Sequence, residues 1–275
     1  MIRWLEREGY DVTYATNLDV HAQPALLYSH KAFVSVGHDE YWSWQMRENV
    51  EQARDRGVNL AFFSGNTCYW QIRLEPSHFT QEPGRTMIAY KENAPWRDPL
   101  QIDTDTGNDH LITTKWRNPP VNRPEAGLIG AMFVEMDTPV NGDFIIEDTE
   151  DWILTRTGLR QGSHLHGLLG YEVDGKTESS PRGTRVVARS SVPQAAGTVT
   201  MYRATSGAIV FSTGSMQWSW GLDDYNAPKL HSSRINIAAQ QMTRNVLARF
   251  NKSTNDLDGL SAQGHWSASD MGVRP

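Results

Sequence analysis

A doubly wound α/β domain with a mostly parallel sheet is predicted by residues 31–70. Two mainly apolar runs, 31–36 and 58–64, read as buried strands. A helical stretch, 44–56, lies between them and ends at Gly57. Each strand runs into a polar-aromatic loop, Gly37-His38-Asp39-Glu40-Tyr41-Trp42-Ser43 and Gly65-Asn66-Thr67-Cys68-Tyr69-Trp70. Strand, helix and strand in that order form a βαβ unit. In an open α/β sheet, ligands bind beyond the carboxyl ends of the strands. The two loops are therefore expected side by side at one sheet edge.

The remaining elements follow from periodicity and punctuation. Residues 2–8 read as a helix stopped by Gly9, 10–15 alternate like a strand, and 24–28 form a short helix. The chain thus enters through a helix. A doubly wound domain opens with a strand, so a first strand, or a preceding domain, is expected to be missing or supplied from elsewhere. Residues 72–165 are short segments broken by turns such as Glu82-Pro83-Gly84 and Asn141-Gly142-Asp143, with strands at 86–90 and 143–147. They read as a long, β-rich, lid-like insertion within a single domain spanning 1–250. Strands return at 185–190, 198–203 and 207–214, a helix at 235–250, and a coil extension at 251–275.

Composition narrows the function classes. The chain has 275 residues, enough to bury a sizeable core. Apolar content is 39%, and no run approaches the roughly 20 apolar residues of a spanning helix, so no membrane partner is expected. A net charge of -6 argues against a nucleic-acid surface. The single cysteine, Cys68, excludes an internal disulfide framework. The first eight residues carry four charges and form no signal-peptide core. The compartment stays open, cytoplasmic or within a larger secreted protein.

Several side chains are candidates for chemistry. Tyr41, Tyr69 and a carboxylate would offer hard oxygen donors to a hard cation such as ferric iron, which lowers a phenol's pKa and activates bound water. The bland reading is packing with a hydrogen-bonded hydroxyl. His38 and Glu40 share a loop and suit proton transfer, against a reading in which Asp39 or Ser43 merely caps the next helix. Cys68 follows a strand, as a nucleophile would, but lacks the glycine two residues later that a tight elbow needs. His164 and His166 form a His-x-His pair with no third ligand evident, which favours a solvated loop. Ten tryptophans, several in loops, suit the walls of a pocket.

Four segments carry a resemblance. They are Gly37 to Ser43, Phe62 to Trp70, Leu169-Gly170-Tyr171-Glu172-Val173-Asp174, and Gly214-Ser215-Met216-Gln217-Trp218-Ser219-Trp220-Gly221-Leu222. In this order they resemble the C-terminal domain family of the N,N-dimethylformamidase large (beta) subunit. The resemblance implies a glutamine amidotransferase-like, flavodoxin-like fold. It also implies hydrolysis of a small amide C–N bond at a mononuclear iron held by two tyrosines and a glutamate. Carried over by motif, Tyr41 and Tyr69 are the tyrosine ligands and Glu172 the carboxylate, with His38 or Glu40 moving protons. Thr67 and Cys68 depart from the small or aromatic residues often found before the second tyrosine. The expected partners are a small-molecule amide and additional domains or a small subunit. The alternative function is a non-catalytic carbohydrate- or partner-binding module of a larger bacterial protein, presenting Trp42, Trp70, Trp218 and Trp220.

Overall fold

The βαβ unit is present in the computed structural model, which describes residues 1–135, 139–148, 152–227 and 231–251. After the short helices α1 (Ile2–Arg7), α2 (Asn17–Ala22) and α3 (Ala25–Tyr28), strand β1 (Ala32–His38) leads through β2 (Tyr41–Ser43) into helix α4 (Trp44–Asp55) and strand β3 (Asn59–Gly65). β1 and β3 pair in parallel, from Ala32 against Asn59 to His38 against Gly65. Ser43 starts α4 as its N-cap: its Oγ accepts the Met46 N–H at 3.2 Å and lies 2.7 Å from His21 Nδ1. Ser43→Ala is expected to cost about 1 kcal/mol in urea unfolding, the usual worth of a lost cap.

The other strands are β4 (Trp70–Glu75), β5 (Thr86–Ile88), β6 (Met132–Phe133), β7 (Val140–Ile146), β8 (His164–Tyr171), β9 (Asp174–Gly175), β10 (Arg185–Ser190), β11 (Thr198–Arg203) and β12 (Ile209–Ser212). Helices α5 (Ala94–Arg97), α6 (Pro99–Ile102) and α7 (Ala126–Ile129) lie between β5 and β6, and α8 (Ile237–Phe250) follows β12. Seven strands form one sheet in the order β1-β3-β12-β11-β10-β7-β8. β12 joins β3 in parallel, and the pairs from β12 out to β8 are antiparallel. A second sheet, β2-β4-β5, pairs Tyr41 with Trp70.

The doubly wound, mostly parallel sheet, glutamine amidotransferase-like or flavodoxin-like, is therefore not the one formed. The sheet is mixed, strongly curled into a half-barrel, and mostly antiparallel. The reason is loop length. A parallel return needs a crossover of a dozen or more residues. The links 191–197 and 204–208 are too short for that, so β10, β11 and β12 must run as hairpins. Residues 10–15 are also irregular rather than a strand. Tyr10 and Val12 nevertheless pack on the core, so the alternation reports burial without strand pairing. β7, inside the 72–165 stretch, belongs to the main sheet. Apart from Asn251, the C-terminal extension lies outside the described residues.

β3 is buried on both faces. Ala61 and Phe63 join Trp4, Phe144, Phe211, Trp218 and Phe250 on one side. Leu60 and Phe62 join Trp42, Met46, Val50 and Trp116 on the other. This double burial fixes where β3 ends, and hence where its exit loop emerges.

Candidate active site

The exits of β1, β3 and β12 share one edge, and the backbone ties the first two together. The Cys68 N–H donates to the Asp39 carbonyl at 2.8 Å, and the Tyr69 and Trp70 N–H groups both donate to the Glu40 carbonyl at 2.9 Å. A further segment arrives from the end of β8. Val173 bridges Ser215, and the Asp174 N–H donates to the Gly214 carbonyl at 3.0 Å. This brings Glu172 against the β3 exit so closely that a Cβ on Gly65 would stand 2.5 Å from the Glu172 carbonyl oxygen.

The β3 exit loop is held in an unusual shape. Asn66 and Cys68 have φ of 51° and 55°, in the left-handed region that L side chains rarely adopt. Such residues persist where the surroundings over-determine them, and they cluster at functional sites. Here the Asn66 N–H donates to Asp174 Oδ1 at 2.7 Å, and Thr67 Oγ1 donates to Ser64 Oγ at 2.8 Å. Asp174 is fully buried. Burial pushes its carboxyl up to about 7, against the opposing pull of the Asn66 and Thr67 N–H groups.

His38 lies between two carboxylates. Its Nδ1 is 3.0 Å from Glu172 Oε2 and its Nε2 is 3.2 Å from Glu40 Oε2. Glu172 first, then Glu40, raise the imidazole to about 10 despite its partial burial, so it is a cation at neutral pH. Burial acts to raise the Glu40 carboxyl, but His38, Tyr41 and Lys91 outweigh it, and the net shift is downward. Asn66 Nδ2 donates to Glu40 Oε1 at 3.2 Å. The two residues expected to carry protons thus form a charged pair, with Glu172 as the third member.

Each tyrosine meets a lysine from the 72–165 stretch. Lys91 Nζ donates to the Tyr41 hydroxyl and sits 4.8 Å from its ring centre. Tyr69 OH donates to Glu135 Oε1 at 2.6 Å, and Lys115 Nζ donates to the same oxygen at 2.6 Å. Lys115 and Arg117 lie 5.1 and 5.2 Å from the Tyr69 ring centre. Burial and the Glu135 bond push the Tyr69 phenol up to about 12, against the pull of Lys115, so it is protonated at neutral pH. Trp70 stands between the two systems, in register with Tyr41 and 4.9 Å from the Tyr69 ring.

The five residues given metal-binding or proton-transfer roles from the sequence, His38, Glu40, Tyr41, Tyr69 and Glu172, therefore lie on segments that reach the same sheet edge. His38, Glu40 and Glu172 are in direct contact, while each tyrosine hydroxyl is engaged by its own lysine system. Sequence reasoning missed Lys91, Lys115, Glu135, Asn66 and Asp174. The last two sit inside the quoted motifs, and that placement was the signal available. Cys68 is wholly buried, and burial holds its thiol well above its usual range. No thiolate nucleophile is available there. Trp42, Trp70 and Trp218 are likewise buried.

The donor set suits a hard cation. Two phenols and a carboxylate are all oxygen donors, and each stands beside a cationic side chain that balances negative charge. Three buried oxygens in the cluster, Glu172 Oε2, Asp174 Oδ2 and Asn66 Oδ1, have no aligned hydrogen-bond donor. Glu172 Oε2 has only the ion-pair approach of His38, whose Nδ1 is also 3.4 Å from the Gly65 carbonyl. Buried polar atoms are ordinarily hydrogen-bonded, so such a group asks for a partner.

A family model described as N,N-dimethylformamidase beta subunit-like, C-terminal, matches residues 1–232. That span contains every residue of this cluster. No curated protein sequence matches the chain.

Proposed function

The chain belongs to the N,N-dimethylformamidase beta subunit-like, C-terminal family, and from that premise we propose that it hydrolyses the C–N bond of a small amide. Tyr41, Tyr69 and Glu172 would hold a mononuclear iron. The observation that supports this most is that the backbone segments carrying all three converge at the strand exits, beside the His38–Glu40 pair. When bound, iron supplies Lewis-acid polarisation of the carbonyl and a lower pKa for water.

The side chains account for the rest of the reaction. Amide hydrolysis must remove a proton from water and deliver one to the departing nitrogen. Glu40 is kept ionised and can accept the first. His38, held as an imidazolium, can donate the second through Nε2. Lys91 beside Tyr41, and Lys115 with Arg117 beside Tyr69, place positive charge next to the two proposed oxygen donors. Asn66 fixes the Glu40 carboxylate, and Asp174 fixes the loop that carries Asn66.

Purified protein is expected to contain about one iron per chain, to show a visible phenolate-to-iron absorption band, and to release dimethylamine from N,N-dimethylformamide or a close analogue. Chelation should remove colour and activity together, and iron should restore both. A colourless protein that takes up no ferrous or ferric iron would overturn the reading.

A further inference from the structure

We propose that the β7–β8 hairpin carries a second metal site, formed by Asp143, His164 and His166, that takes a divalent transition ion of zinc type. The ligands follow from strand geometry. Residues i and i+2 of a strand share a face. His164 and His166 are exposed on one face, while Leu165 between them is buried in the core. The missing third ligand comes from the neighbouring strand. The β7–β8 register shifts between Gly142 and Phe144, and Asp143 lies at that shift. Asp143 Oδ2 stands 3.1 Å from His164 Nδ1 and 2.8 Å from His166 Nδ1. One ligand atom from each of the three lies within 4.8 Å of the others.

The carboxylate is prepared in place. Asp143 Oδ1 accepts the Gly167 N–H at 2.9 Å, and the Asp143 N–H donates to Ser191 Oγ at 2.9 Å. Secondary contacts of this kind orient metal ligands and are costly to lose. Two imidazoles and one carboxylate match zinc, with a fourth position left for water. They do not match magnesium or calcium, which prefer all-oxygen sets. An adjoining cleft of about 510 Å³, bounded by residues 232–236, leaves room for that fourth ligand. Arg234, which lines the same cleft, is engaged with the Gly167 carbonyl at 2.6 Å and Asn141 Oδ1 at 3.1 Å. The site is separate from the strand-exit cluster but linked to it, because β8 is an edge strand that continues directly into Glu172.

The test is calorimetric titration of untagged protein with zinc chloride, with cobalt(II) absorption as a second readout. The unmodified protein is expected to bind one zinc saturably and to give the visible bands of low-coordinate cobalt. His166→Gln and Asp143→Asn should each weaken zinc about 100-fold, with folding checked by circular dichroism. Tyr41→Phe should leave hairpin zinc unchanged, which separates this site from the proposed iron site whatever the fate of the latter. Absence of saturable zinc binding to the unmodified protein would overturn the proposal. So would zinc affinity in His166→Gln and Asp143→Asn equal to that of the unmodified protein.

Discussion

Glu172→Gln is expected to leave the protein folded and to abolish iron uptake and amide hydrolysis together, with kcat/KM falling by at least about 10³-fold, roughly 4 kcal/mol of transition-state stabilisation. The substitution keeps size and hydrogen-bonding capacity and removes one negative charge. It also removes the first of the two carboxylates that hold His38 protonated. The His38 pKa should therefore drop, which an NMR titration of the ring will show. A stability signature follows from the same loss. Folding raises the His38 pKa from 6.5 to about 10. Its pairing therefore stabilises the fold fully below 6.5 and fades as pH rises through about 10. In Glu172→Gln this fall between pH 6.5 and 10 should be smaller, as urea unfolding at several pH values will measure. Retained iron and activity in this variant would sink the carboxylate assignment.

Gly65→Ala is expected to damage the fold and the site together. The new Cβ would meet the Glu172 carbonyl oxygen at 2.5 Å and the Met216 N at 3.0 Å. Both are backbone atoms, so no side chain can swing away. Overpacking of this kind costs about 1–3 kcal/mol, read as a lower urea midpoint. Because the displaced segment carries Glu172, iron affinity should fall as well. An unchanged midpoint with unchanged iron content would show that the Glu172 segment does not rest on Gly65.

The site's backbone frame was legible before its fold was. Parallel strands joined by a crossover helix must release their exits at the same edge, so Tyr41 and Tyr69 come together whatever the rest of the sheet does. The sheet itself was misread because one βαβ unit was extended to the whole chain. The clue lay in the short links on either side of residues 198–203, which only hairpins can use. Lys91, Lys115 and Glu135 left no trace in the sequence. They come from a stretch without helical or strand period, where charged residues ordinarily face water. Asp143 was hidden for another reason: it lies at a register shift between β7 and β8, which strict alternation does not mark. Glu172 was reached through motif resemblance alone.

The lone cysteine gives this protein a built-in gauge of local motion. Cys68 lies between Thr67 and Tyr69 in the strained loop and is fully covered. A thiol reagent can reach it only when that loop opens. The labelling rate of the unmodified protein therefore measures, without an added probe, how often the Tyr69 loop leaves its closed form. Any ligand that bridges this loop to its neighbours will slow that rate, even a ligand that leaves no colour and undergoes no reaction.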